Sequence, residues 1–157
     1  MSVIISGPQV RMLGLGTKVD KAAATLPAST VQTLFTVSGG RILLTSILGE
    51  VTTIIQTQTN NAKLQCVPTT GTTVDWCATA DITALEVGAF LTVTPDLDAT
   101  PFSVALQKQN AGATTISLGV GIIVPIGAIK LSCSATNTGA TKWSMTYIAY
   151  DDGATVA

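Results

Sequence analysis

Residues 127–150 constrain the fold more tightly than any other stretch, because two alternating runs are joined there by a turn. Ile129, Leu131, Cys133 and Ala135 alternate with Lys130, Ser132, Ser134 and Thr136, and Trp143, Met145, Tyr147 and Ala149 alternate with Lys142, Ser144, Thr146 and Ile148. A two-residue period belongs to a strand with one buried face. Between the runs, Asn137-Thr138-Gly139-Ala140 offers Asn and Gly, which tolerate positive φ in a hairpin turn. The pattern predicts a β-hairpin. One hairpin cannot bury both faces or satisfy its outer edges, so the rest of the chain is expected to supply strands that cover it.

In chain order, residues 1–10 read as an N-terminal arm whose apolar cluster, Val3, Ile4 and Ile5, is closed off by Gly7-Pro8. Residues 11–157 read as a single domain. The segment 11–27 is expected to be extended, although 18–24 has the composition of one helical turn. Strands are then expected at 30–37, 41–48 and 51–59, separated by Ser38-Gly39-Gly40 and Gly49-Glu50. Further strands are expected at 62–67, 73–78, 89–94, 102–107 and 114–118, where Val, Ile, Leu and Thr recur between Gly, Pro and Asn. Trp76 and Cys77, adjacent on a strand, would point to opposite faces, one of them toward a second sheet or a subunit contact. Thr83-Ala84-Leu85-Glu86 has the spacing of a capping box, and Gly88 limits it to one helical turn. Residues 95–101 carry the strongest breakers. About eight to ten short strands with almost no helix imply an all-β fold, a β-sandwich of jelly-roll-like form.

The 157-residue chain is 46% hydrophobic and only 11% charged, with a mean hydropathy of +0.50. One core of this size does not hide so much aliphatic surface, so part of it is expected to be buried against other copies or another protein. The eight basic residues are scattered singly and aromatic residues make up 4%, which disfavours nucleic-acid binding. Cys66, Cys77 and Cys133 read as buried free thiols, as expected of a protein made in a reducing cytosol. The N-terminus lacks the pattern of a secretory signal. Residues 109–129 are uncharged, but Gly119, Gly121, Pro125 and Gly127 favour a buried strand pair or an oligomer seam over a membrane span.

Chemistry is sparse. The chain has no histidine, which removes Ser-His-Asp and Cys-His arrangements and most zinc sites. Lys130 and Ser132 share a strand face, but that face is the solvated one. Asp96 and Asp98 suit loop solubility and turn initiation better than calcium, which needs six or more oxygens. Trp143 and Tyr147 read as core, and too few aromatics remain to line a glycan cleft. Neither Gly14-Leu15-Gly16 nor Gly119-Val120-Gly121 completes a dinucleotide loop. No catalytic, cofactor or metal residues are expected.

Several phrases resemble small virion proteins of tailed bacteriophages. They are Gly16-Thr17-Lys18-Val19, Ala22-Ala23-Ala24-Thr25-Leu26-Pro27, Gly39-Gly40-Arg41-Ile42-Leu43-Leu44-Thr45, Gly49-Glu50-Val51-Thr52-Thr53, Asn137-Thr138-Gly139, Lys142-Trp143 and Tyr147. Among such proteins the chain looks most like the capsid decoration, or cement, proteins. Where those frequently end a strand with Tyr-x-Pro, Tyr147 and Tyr150 are here followed by Ile148 and Asp151. The resemblance implies a non-enzymatic, β-rich protein, made in the bacterial cytoplasm and carried on the virion as a homo-oligomer. A trimer bound to the major capsid protein is the expected form, with no nucleic-acid or membrane partner. Within it, Ile122, Ile123, Val124 and Ile126 are the candidate oligomer interface, and Val3, Ile4 and Ile5 the candidate capsid-contacting arm. The alternative is a trimeric receptor-binding or tail-fibre module, which calls for a solvent-facing aromatic patch.

Overall fold

A computed structural model of the chain describes residues 6–93, 103–104 and 121–157. The elements, in order, are α1 (Gly7–Leu15), β1 (Thr17–Thr25), β2 (Val31–Ser38), β3 (Ile42–Thr53), β4 (Asn61–Pro68), β5 (Val74–Asp75), β6 (Ala80–Asp81), β7 (Phe90–Thr92), β8 (Ser103–Val104), β9 (Ile122–Val124), β10 (Gly127–Cys133), β11 (Ala140–Ala149) and β12 (Thr155–Val156). The first sheet runs β1-β11-β3-β7-β8, with β9 also on β3, and the second runs β12-β2-β10-β4-β5, with β6 also on β4. Successive long strands alternate between sheets except at β4 and β10, which are neighbours in the second. β1, β3 and β11 lie in one and β2, β4 and β10 in the other, which is jelly-roll wiring. The protein is therefore an all-β sandwich, as its turn spacing implies. Among the described residues each sheet has six strands, several of them only two or three residues long.

The expected hairpin is not one. β10 pairs with β2 and β4, whereas β11 pairs with β1 and β3. Both alternating runs bury the side chains assigned to them: Ile129, Leu131 and Cys133 from one sheet, Trp143, Met145 and Tyr147 from the other. They meet across the core instead of side by side. The connection is a corner held by Asn137, whose Oδ1 accepts from the backbone N–H groups of Gln56 (2.9 Å) and Gly139 (3.0 Å). Gly139 lies against Ile55, where a Cβ would come within 2.6 Å of its side chain.

Gly49-Glu50 is likewise not a turn, since β3 passes straight through it. Gly49 is the cross-strand partner of Trp143, and the indole occupies the space above its Cα. The ring is 2% exposed, and its Nε1 donates to Thr141 Oγ1 at 3.0 Å. A glycine inside a strand here marks close approach by a neighbour, not the end of the strand. Trp76 and Cys77 are both buried. The chain bends immediately after β5, so strand alternation does not hold there and neither is left for a subunit contact. Leu34 and Phe35 are consecutive buried residues because the β2–β10 register shifts by a bulge between Ile129 and Lys130.

The capping-box spacing at residues 83–86 forms turns, with Ala84 at φ 56°. Helix appears instead at α1, crossing the expected arm boundary at residue 10. Gly7-Pro8 opens it: Pro8 sits in the first turn, where its missing N–H costs nothing. Gln9 Oε1 accepts from the backbone N–H of Ser6 at 2.8 Å. Val3, Ile4 and Ile5, the loop 95–101 with Asp96 and Asp98, and most of the strands expected at 102–107 and 114–118 lie outside the described residues.

Candidate interaction surface

Among the described residues no group of three His, Cys, Asp or Glu side chains is placed to hold a metal. Among the same residues no helix is long and apolar enough to cross a membrane. The three cysteines are buried and form no disulfide, and burial pushes the Cys66 thiol up and that of Cys133 to about 12. At neutral pH such a thiol is protonated and is a poor nucleophile. The described residues also expose a group of large apolar side chains, which form a surface.

Strand register builds that surface on the outer face of the first sheet. Ile42 and Leu44 point into the core, so Leu43 between them points out. Leu43 pairs with Ile148 on β11 and with Ile123 on β9, which gives an apolar row across three adjacent strands. Ile148 and Ile123 are 40% and 45% exposed.

The end of α1 is fastened beside this row. Gly16, at φ 84°, closes on the Tyr147 carbonyl and the Ile148 side chain, where no Cβ fits. Thr45 Oγ1 donates to the Leu15 carbonyl at 2.6 Å. The hydroxyls of Thr45 and Ser46 both lie 2.7 Å from Thr146 Oγ1, brought together where the β3–β11 register shifts. Each hydroxyl has one proton, so the bonds run Ser46 to Thr146 to Thr45 to Leu15.

The next turn of chain adds a tip. Arg41 Nε and Nη2 donate to the two carboxylate oxygens of Asp151, each at 2.9 Å, and its backbone N–H donates to Oδ2 at 2.8 Å. The guanidinium beside it holds the Asp151 carboxyl down at about 2. The same guanidinium lies 5.0 Å over the ring of Tyr150, which is 59% exposed. Pro125, Ile126, Thr69 and Thr70 share a shallow cavity of about 400 Å³ with Arg41 and Asp151.

The candidate interface residues are split by strand alternation. Val124 is in the core, Ile122 packs against it from the side, and Ile123 and Ile126 are exposed. Lys130 and Ser132 lie on β10 between the buried Ile129, Leu131 and Cys133, so they share the outer face of the second sheet.

Twelve large apolar residues are exposed among those described. Eight of them sit on α1, on the row or at the tip. Charges lie farther along the same face, where Lys18–Asp20 (2.8 Å) and Lys142–Glu50 (2.9 Å) rim a cleft of about 580 Å³ between β1 and β3. An apolar patch bordered by polar groups marks an interaction site. Sequence reading missed α1, Ile148 and the Arg41–Tyr150–Asp151 tip. The helix carried a signal, Ser6-x-x-Gln9 with Pro8, which is a capping-box spacing with proline in the first turn. The tip carried none, since Arg41 and Asp151 are 110 residues apart.

Comparison of the chain with protein-family models, with curated proteins and with solved structures gives no match in any of the three.

Proposed function

We propose that the protein is a non-enzymatic structural component of a tailed-bacteriophage virion, a capsid decoration protein that attaches to the major capsid lattice as a trimer and stabilises the head. The observation that carries this reading is the gathering of exposed apolar side chains at one end of the first sheet. A clamp works through buried contact area, and its surface is one-sided. Jelly-roll wiring, three buried thiols suited to a reducing cytosol and the resemblance at residues 16–27, 39–45 and 49–53 support the same reading.

The tip supports a second reading, a receptor-binding or fibre module. Tyr150 is a solvent-facing aromatic, and the Arg41–Asp151 pair holds Arg41 stacked on it, so little side-chain freedom is lost on binding.

Quantitative mass spectrometry of purified virions separates the two. A decoration protein is present in many copies per head, a fibre in a handful. Sedimentation of purified protein with emptied phage heads is the direct test: saturable co-sedimentation is expected, and its absence with heads of the cognate phage removes the capsid assignment.

A further inference from the structure

We infer that the tip is a carbohydrate-binding site: the cavity between Arg41, Asp151, Thr69, Thr70, Pro125 and Ile126 takes a single neutral pyranose ring through two neighbouring hydroxyls. The inference rests on the second reading above, to which it gives a ligand class, and not on attachment to a capsid.

Four connections drawn from both sheets converge on the cavity. Arg41 immediately precedes β3, Asp151 follows β11, Thr69 and Thr70 follow β4, and Pro125 and Ile126 link β9 to β10. Backbone bonds fix them. The N–H groups of Tyr150 and Asp151 donate to the Arg41 carbonyl at 3.0 and 3.2 Å, and that of Thr69 donates to the Ile126 carbonyl at 2.9 Å. Gly127, at φ 150°, closes on the Val67 carbonyl, where no Cβ fits. Tyr150, outside the cavity wall, stacks on the guanidinium and restrains it. The walls therefore stand in place before a ligand arrives, which lowers the cost of binding.

The polar side of the cavity has unspent hydrogen-bonding capacity of both kinds. A guanidinium carries five N–H donors, and Arg41 gives two of them, on Nε and Nη2, to Asp151. The others, two on Nη1 and one on Nη2, have no partner among the described residues. Of the roughly four sites on a carboxylate, Asp151 fills two on Oδ2 and one on Oδ1, so Oδ1 can accept one more bond. Thr69 and Thr70 are exposed and add two hydroxyls.

These groups select by charge and by geometry. Arg41 and Asp151 cancel, so net charge favours neither an anion nor a cation. A ligand must accept from the guanidinium and donate to the carboxylate beside it, where Nη2 and Oδ1 are 2.9 Å apart. Neighbouring hydroxyls on a sugar ring do both. A trans peptide group does not, because its N–H and C=O point in opposite directions. The remaining wall, Pro125 with Ile126, is apolar, Ile126 being 44% exposed, and suits the C–H face of a pyranose. A cavity of about 400 Å³ lies within the range of small-ligand sites. An extended glycan cleft calls for a row of aromatics, whereas a one-ring site does not, since proline and isoleucine supply its apolar side.

The test is an NMR titration of the isotope-labelled full-length protein with the methyl glycosides of glucose, galactose, mannose and N-acetylglucosamine. It is followed at the Arg41 Nε–H and at the backbone N–H groups of Thr69, Thr70 and Asp151. At least one glycoside is expected to shift these resonances saturably, with a Kd on the order of 1 mM for a ligand of this size. Arg41→Met is expected to weaken that binding by about tenfold or more, and Thr70→Val by a few fold, with native circular dichroism in both. Lys142→Ala, at the charged cleft farther along the face, is expected to leave it unchanged. No saturable shift with any of these glycosides, or binding that survives both Arg41→Met and Thr70→Val, overturns the inference. So do equal shifts with acetamide, which make the ligand an amide, or with inorganic phosphate, which make the cavity an anion site. Its failure is distinguishable from that of the second reading, which copy number in the virion decides: a fibre protein that ignores the glycosides sinks only the sugar, and a many-copy protein that binds them sinks only the fibre assignment.

Discussion

Gly49→Ala tests whether residue 49 is a turn or the floor under an indole. Its backbone is not in the left-handed region, so alanine is allowed locally and would gain about 0.4–1 kcal/mol from a less flexible unfolded chain. Packing opposes that gain. A Cβ at residue 49 would stand 2.8, 2.8 and 2.9 Å from Trp143 Cη2, Cζ2 and Cζ3, so the ring must retreat by roughly 0.7 Å to recover ordinary contact. It has nowhere to retreat, being 2% exposed and bonded through Nε1 to Thr141. Overpacking of this kind costs about 1–3 kcal/mol, so at the midpoints, about 2 against about 0.7, the net destabilisation is about 1.3 kcal/mol. For a chain of this length that lowers Tm by about 3–5 °C. Thermal unfolding at fixed protein concentration measures it, and a Trp143→Leu background removes the clash, so there the same substitution should be neutral or stabilising. If Gly49→Ala leaves Tm unchanged or raises it in the presence of Trp143, the packing account of β3 is wrong.

Two further predictions concern the corner and the tip. Asn137→Ala strands the backbone N–H groups of Gln56 and Gly139, offset in part by removal of a buried Nδ2 that has no protein partner. Urea unfolding should show a loss of about 1–3 kcal/mol, and a change under about 0.5 kcal/mol would mean that the corner is held by something else. At the tip, Asp151 is depressed to about 2 by Arg41. A carboxyl lowered on folding stabilises above its unfolded value near 4 and loses that contribution as pH falls toward 2. Asp151→Asn should therefore lower Tm at pH 7, with the gap to wild type closing between about pH 4 and pH 2; a gap that persists unchanged at pH 2 rules out the ion pair as its cause.

Two-residue alternation was enough to announce which side chains of residues 129–133 and 143–147 are buried, and β-branched runs with Gly, Pro and Asn between them were enough for an all-β sandwich. Excess apolar content announced surface in need of cover, and the lack of histidine removed Ser-His-Asp and Cys-His arrangements. Those properties are local or additive, and each is readable one residue at a time. Which strand pairs with which is not. Residues 127–150 obey the same alternation whether their runs lie side by side in a hairpin or face each other across a core. Only the competition of β1, β2, β3 and β4 for their edges sends β10 and β11 to different sheets. Gly49 looks like a turn until Trp143, 94 positions later, is set on it. The row of Ile148, Leu43 and Ile123 and the junction of Arg41 with Asp151 exist for the same reason. Register and sheet crossing bring distant residues together, and the free energy that selects them belongs to the packed whole.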